Sequence, residues 1–287
     1  MTPGENLLSM YRRQGYQHAP VHLNFCPSLL AKYKSLAGDT PLPEYFDYAD
    51  GFAARLVPGL ALKPWEEVDW LHYYDEPLRA GTDFSAYGVA HEPGSDAAHH
   101  MRRMHHPMAN VTSLEEMQSY PFPQFDTDDV THMCEAVSEA HAEGRAAVGS
   151  MHCTIWETAW YIRDMTKLMI DMMDEDDKAT FLLDVITEHA CQRAAGFARA
   201  GMDMIEFGDD VGMQDAIMIS REMYRDWLQP RLIRVISAAK RENPNVLIFY
   251  HSCGFVEPLI DDLIEAGVEI LNPVQPECMP FDGIHDK

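Results

Sequence analysis

From residue 145 onward the apolar positions switch between two periods. Residues 146–151 form a short continuous apolar run, and residues 156–173 then carry Trp156, Ala159, Ile162, Met165, Met169 and Met172 at helical spacing. This pattern predicts a strand followed by one helix. A second helix is predicted over residues 178–200, with Leu182, Val185, Ile186 and Phe197 on one side and Gly201 as its stop. Residues 202–207 return to strand. Ser220 is placed to cap a helix running through Met223, Trp227, Leu232, Val235 and Ala239, which Pro230 should kink. A strand over 246–250, a short helix over 258–266 closed by Gly267, and a strand over 268–271 complete the series.

The N-terminal half is less regular. Residues 21–25 read as a first strand and residues 46–52 as a second, which makes six strands in all. Residues 63–125, rich in Pro, Gly, Trp and His, read as an insertion lying over the mouth of the sheet.

Strand and helix in alternation imply a parallel sheet wrapped by helices. Polar strand ends choose between a closed barrel and an open doubly wound sheet. Gly208-Asp209-Asp210, His251-Ser252-Cys253 and Asn272-Pro273-Val274-Gln275 each follow a predicted strand, and convergence of such ends is how barrel active sites are assembled. The sequence has no Gly-x-Gly-x-x-Gly or Walker loop after a strand. The expected fold is an α/β, (β/α)8 TIM barrel, with residues 1–287 as one domain.

Composition changes this picture little, but charge narrows the partners. Against 22 Lys and Arg stand 46 Asp and Glu, a formal charge of -24 over 287 residues, which repels nucleic acid and anionic lipid. The sequence has no apolar stretch of bilayer length and no signal-type apolar region near Met1, so a cytoplasmic setting is expected. The six cysteines are scattered and are expected to be reduced.

Among candidate chemical groups, His251 and Cys253 carry the strongest local signal. Side chains two apart on a strand share a face, and one imidazole with one thiolate suits zinc. Two ligands do not make a site; Cys278, beside Glu277 after the next strand end, is the candidate third. Asp209 and Asp210 are candidates for acid/base work or substrate binding, with a hydrogen-bonded loop anchor as the alternative. Trp156 and Glu157 offer an aromatic wall and a carboxylate, the alternative for Glu157 being a helix N-terminal position favoured by the dipole. Residues 99–106, His-His-Met-Arg-Arg-Met-His-His, suggest a lid or hairpin meeting acidic substrate rather than a metal site, because Arg102 and Arg103 would repel a cation.

Residues 201–214, the helix from Ser220 and residues 246–275 together resemble the uroporphyrinogen decarboxylase superfamily. So do Tyr120-Pro121-Phe122-Pro123 and Ile270-Leu271-Asn272-Pro273-Val274-Gln275. The resemblance implies a (β/α)8 barrel with its pocket at the C-terminal face, where Trp156, Asn272 and Gln275 would meet a cofactor or substrate. True decarboxylases of this superfamily carry an Arg-Gln-Ala-Gly-Arg motif at the first strand, where this chain has Asn24-Phe25-Cys26-Pro27-Ser28. The zinc-dependent methyltransferase branch uses a His-x-Cys pair, matched by His251 and Cys253. The resemblance therefore implies Zn²⁺ and methyl transfer between a corrinoid protein and a small-molecule thiol, with Asp209, Asp210 and Glu157 shaping the pocket or managing protons. The family's further zinc cysteine lies beyond another strand, so the reading expects a barrel lacking its last two strands. Porphyrinogen decarboxylation and non-catalytic binding of a corrinoid or small ligand are the competing readings.

Overall fold

The structure is a computed structural model, and it describes residues 1–21, 23, 25–48, 53–64, 68–94 and 102–285. The described strands are β1 (Ala54–Val57), β2 (Asp83–Phe84), β3 (Ala90–Glu92), β4 (Arg103–His105), β5 (Ala146–His152), β6 (Met204–Gly208), β7 (Leu247–His251) and β8 (Ile270–Asn272). Five pair in parallel in the order β1-β5-β6-β7-β8, and β2-β3-β4 form a small antiparallel sheet. Each later strand of the parallel sheet is added on the same side, without the reversal that defines a doubly wound sheet. The winding is that of a barrel, and the five strands form its parallel arc.

The pleat sends alternate residues to opposite faces. On the outer face, Ala147, Met151, Ile205, Phe207, Ile248 and Tyr250 enter one large core shared with the surrounding helices. The principal helices there are Trp156–Arg163, Met165–Met173, Asp177–Arg199, Gln229–Glu242 and Ile260–Ala266. On the inner face, Val148, Met204, Leu247 and Phe249 form a separate cluster. The helix Pro3–Tyr11 lies against that cluster through Leu8 and Tyr11, its start fixed by a reciprocal capping box between Thr2 and Glu5.

The late strands and helices follow the predicted order, with three local differences. Residues 156–173 are two helices rather than one, because Asp164 sits at φ 77 and its side chain caps the next helix at the Lys167 N–H. The Ser220 side chain does accept from the Met223 N–H, but Pro230 is preceded by a π-helical turn, Tyr224–Leu228. Proline lacks the N–H that would continue the ladder there, and the chain widens by one residue instead. The helix predicted over 258–266 opens as a 3-10 turn, Glu257–Leu259.

The N-terminal expectations need more correction. Residues 21, 23 and 25 are not in a strand, and His22 and Asn24 lie outside the described residues. Residues 46 and 47 form a turn, 48 is not in a strand, and 49–52 lie outside the described residues. The first strand among the described residues is Ala54–Val57. The described part of 63–125 contacts the helical layer: Tyr87 Oη meets His189 Nδ1 at 3.1 Å, and the Met108 N–H donates to the Ile162 carbonyl at 2.9 Å. Arg103–His105 is a hairpin strand paired with β3, whereas His99, His100 and Met101 lie outside the described residues.

Candidate metal centre

The strand ends gather side chains by register. His152, Gly208, His251 and Asn272 stand side by side across β5, β6, β7 and β8 on the inner face. Gly208 makes room in this row, since a Cβ there would lie 3.2 Å from His251 Cβ and 3.5 Å from His152 Nδ1. The two imidazoles accordingly meet edge to face, with centroids 5.6 Å apart.

His251 is oriented by its neighbours. Its Nδ1 lies 2.8 Å from Asn272 Oδ1; with that N–H donating to the amide oxygen, Nε2 keeps its lone pair. Cys253 Sγ sits 3.4 Å from that Nε2. Two donors on one tetrahedral zinc, with Zn–N about 2.0 Å and Zn–S about 2.3 Å, are separated by roughly 3.5 Å. The pair therefore already has the spacing a shared cation requires, and without one the thiol donates to the imidazole. Asp210 joins them: single donor atoms of Asp210, His251 and Cys253 all lie within 4.8 Å of one another.

Backbone hydrogen bonds hold the donors in place. The Cys253 N–H donates to Asp210 Oδ1 at 2.8 Å, and the Asp210 N–H donates to Glu157 Oε2 at 3.0 Å. Glu157 Oε1 accepts from Tyr161 Oη at 2.8 Å. The Gly254 N–H donates to Gln275 Oε1 at 3.0 Å. Gly254 has φ 82, and a Cβ there would come within 2.5 Å of the Met213 carbonyl oxygen, so the turn that presents Cys253 requires glycine.

The mouth is acidic. Partial desolvation, then the charges of Asp210, Glu157 and Cys278, push the Cys253 thiol pKa up. Burial and then Glu157 push Asp209 up to about 8, against the lowering by the backbone N–H groups it accepts. His152 is ion-paired with Glu206 at 3.4 Å, and its hydrogen bond to Glu206 raises its pKa against the opposing effect of burial.

The predicted residues thus divide. His251, Cys253 and Asp210 come together, with Glu157, Asn272 and Gln275 as their supports. Asp209 takes the anchor role: it is 4 % exposed and accepts the Ile155 and Glu157 N–H groups at the start of the helix Trp156–Arg163. Trp156 is fully buried in the core and cannot be a pocket wall, a correction that follows from its position on the core-facing side of that helix. Cys278 lies outside the three-donor group, and its Sγ donates to Gln214 Oε1 at 3.2 Å. His152 and Glu206 were missed. Both carried a usable signal, His152 as a polar strand terminus equivalent to His251 and Glu206 as a carboxylate inside the apolar run of β6.

Fold and site together define an arc of a parallel α/β barrel with polar donors at the C-terminal ends of its strands. Residues 88–273 match the uroporphyrinogen decarboxylase (URO-D) family, and the chain belongs to that family. A solved methyltransferase from Methanosarcina mazei is similar in fold over 94 % of this chain and 75 % of its own, at 19 % identity and a TM-score of 0.53. The Ignisphaera aggregans GH53 catalytic domain matches 49 % of this chain and 39 % of its own at 21 % identity, with a TM-score of 0.25 that carries no argument. No curated protein matches the sequence. Among the described residues, no helix is long and apolar enough to cross a membrane.

Proposed function

We propose that this chain is a zinc-dependent methyltransferase, one domain over residues 1–287, which moves a methyl group between a corrinoid protein and a small-molecule thiol in the cytoplasm. The observation that carries the reading is the His251 Nε2 and Cys253 Sγ pair at 3.4 Å with Asp210 beside it. The fold likeness to a solved methyltransferase supports it.

His251, Cys253 and Asp210 would hold the metal. Zinc bound there would stabilise a substrate thiolate near neutral pH. Asn272 fixes the imidazole tautomer, and Asp210 binds the Cys253 N–H so that the thiol stays beside His251. Glu157, holding the Asp210 N–H and the Tyr161 hydroxyl, positions the carboxylate and does not itself need to touch substrate. Asp209 fixes the helix that carries Glu157. The family description alone favours porphyrinogen decarboxylation, but a polycarboxylate substrate would meet Glu157, Asp210 and Glu206 at this mouth, and like charges disfavour that encounter.

Metal analysis after zinc loading and gel filtration tests the reading. We expect about one zinc per chain, loss of that zinc in Cys253→Ala, and affinity about 10- to 100-fold weaker in Asn272→Ala. Cys278→Ala should retain zinc. Full zinc content in Cys253→Ala, or methyl transfer by metal-free protein, would overturn it.

A further inference from the structure

Directly beneath the donor row, the inner face of the sheet and the helix Pro3–Tyr11 flank a half-open cavity of about 400 Å³. Its walls are mostly apolar: Met10, Leu56, Val148, Met204 and Phe249 line it, and the Tyr11 ring packs edge-on against Phe249 with centroids 6.3 Å apart. Two polar residues interrupt this lining near the donors. Asn272 is the partner of His251, and Glu206 reaches His152, whose ring touches His251. The cavity therefore borders the metal centre through Asn272 and Glu206. Among the described residues no Lys or Arg lines it.

Such a chamber sorts ligands by shape and charge. The apolar walls favour a short alkyl body. Glu206, with a side chain 21 % exposed, is the only lining carboxylate among the described residues, and Glu157 adds negative charge at the mouth, whereas the charge of Asp210 is offset by the metal it would hold. His152 offsets one of these charges and leaves the surroundings net acidic. An anionic group entering here meets like charge, whereas an ammonium group meets a carboxylate.

We propose that this cavity binds the amine of the substrate: Glu206, level with Phe249, takes an ammonium group, and the apolar floor below it accepts any alkyl substituent the amine carries. Resting on the methyl-transfer reading, this makes the acceptor an aminothiol: the sulfur lies at the His251 and Cys253 end and the amine at Glu206. Along a strand, neighbouring inward positions are about 7 Å apart, which limits the acceptor to a short chain.

The test separates the cavity from the chemistry. Calorimetric titration of the zinc-loaded protein with butylamine, butanol and butyrate, none of which carries a thiol, reads the charge preference without methyl transfer. We expect butylamine to bind about tenfold more tightly than butanol and butyrate most weakly. In Glu206→Gln the amine preference should disappear, and in Glu206→Lys it should reverse toward butyrate. Because the preference is measured first in the unsubstituted protein, a variant that fails to fold leaves the test intact. Equal binding of the three probes, or tighter binding of butyrate, overturns the proposal. Methyl transfer is then compared for cysteamine, ethanethiol and mercaptopropionate. Fastest transfer to cysteamine supports the aminothiol assignment, and equal or faster transfer to mercaptopropionate overturns it. Amine-selective binding without transfer to any thiol supports the cation-selective cavity and refutes the methyl-transfer reading alone.

Discussion

The two ends of the helix Trp156–Arg163 both bury polar groups, yet they use them in opposite ways. At the C-terminal end Arg163 is 4 % exposed and spends its guanidinium completely. Nε donates to Asp171 Oδ2 at 2.8 Å, and Nη1 donates to the carbonyls of Met108 and Val111 at 2.6 and 2.8 Å. At the N-terminal end Asp209 is spent in the same way on backbone N–H groups, but next to it His251 Nε2 and Cys253 Sγ share only a 3.4 Å contact that a cation can replace. Burial of polar groups is common to both ends. What separates a joint from a site is whether donor atoms remain available once the scaffold has been satisfied.

The comparison is broken most forcefully at the Arg163 end. Arg163→Met leaves the Asp171 carboxylate buried without its partner and releases two carbonyls of the segment that follows β4. We expect a loss of about 3–5 kcal/mol, read as a lower urea midpoint. A loss below about 1 kcal/mol would show that water replaces the guanidinium and that the joint is not structural.

A second structural group on the outer layer gives a pH signature. His189, on the helix Asp177–Arg199, contacts Tyr87 Oη and lies among Phe122 and Phe125. Burial lowers its pKa to about 4 from 6.5. The unfolded chain thus binds more protons between those values, so the contribution of neutral His189 is complete above about pH 6.5 and is lost as the pH falls toward 4. After allowance for partial exposure we expect about 2 kcal/mol over that window. His189→Phe should flatten the acid limb of the stability profile; an unchanged slope would assign the acid sensitivity elsewhere.

Much of the outer layer was legible from residue order because the period of apolar positions reports burial directly. Ala147 and Met151 announced β5, and Leu232, Val235, Ile236 and Ala239 announced the helix that follows the π turn. The His251 and Cys253 pair was legible from the two-residue repeat of a strand, although β7 ends at His251 and it is the turn at Gly254, with the Cys253 N–H bound to Asp210, that keeps Cys253 on the same side. Asp210 could be nominated but not placed, since its approach depends on a hydrogen bond between loops 43 residues apart, from the Cys253 N–H to its carboxylate. Trp156 misled because its place at the start of a helix beside the mouth says nothing of which way the helix is turned. The break at Asp164 was hidden as well, because the apolar spacing runs on through a residue whose φ is 77. In the N-terminal half, short strands of two to four residues carry too few alternations for a period to be read.

The smallest expected effect is the most telling. Cys253 is exposed, and its thiol makes a single long contact, with His251, while the turn that carries it is held by backbone groups at Gly254 and by the Cys253 N–H. Cys253→Ala removes none of those backbone bonds and opens no enclosed cavity. In metal-free protein we therefore expect a change in unfolding free energy within about 0.5 kcal/mol of zero, the range of surface substitutions away from packed features. Zinc should change that result: loaded protein should gain stability that the variant does not, because a ligand bound only by the folded state adds to its free energy of unfolding. A residue that costs the scaffold nothing but removes the metal-dependent gain was placed for binding. If Cys253→Ala destabilises the metal-free protein as Arg163→Met does, the thiol belongs to the scaffold, and the difference drawn between the two ends of the helix fails where it matters most.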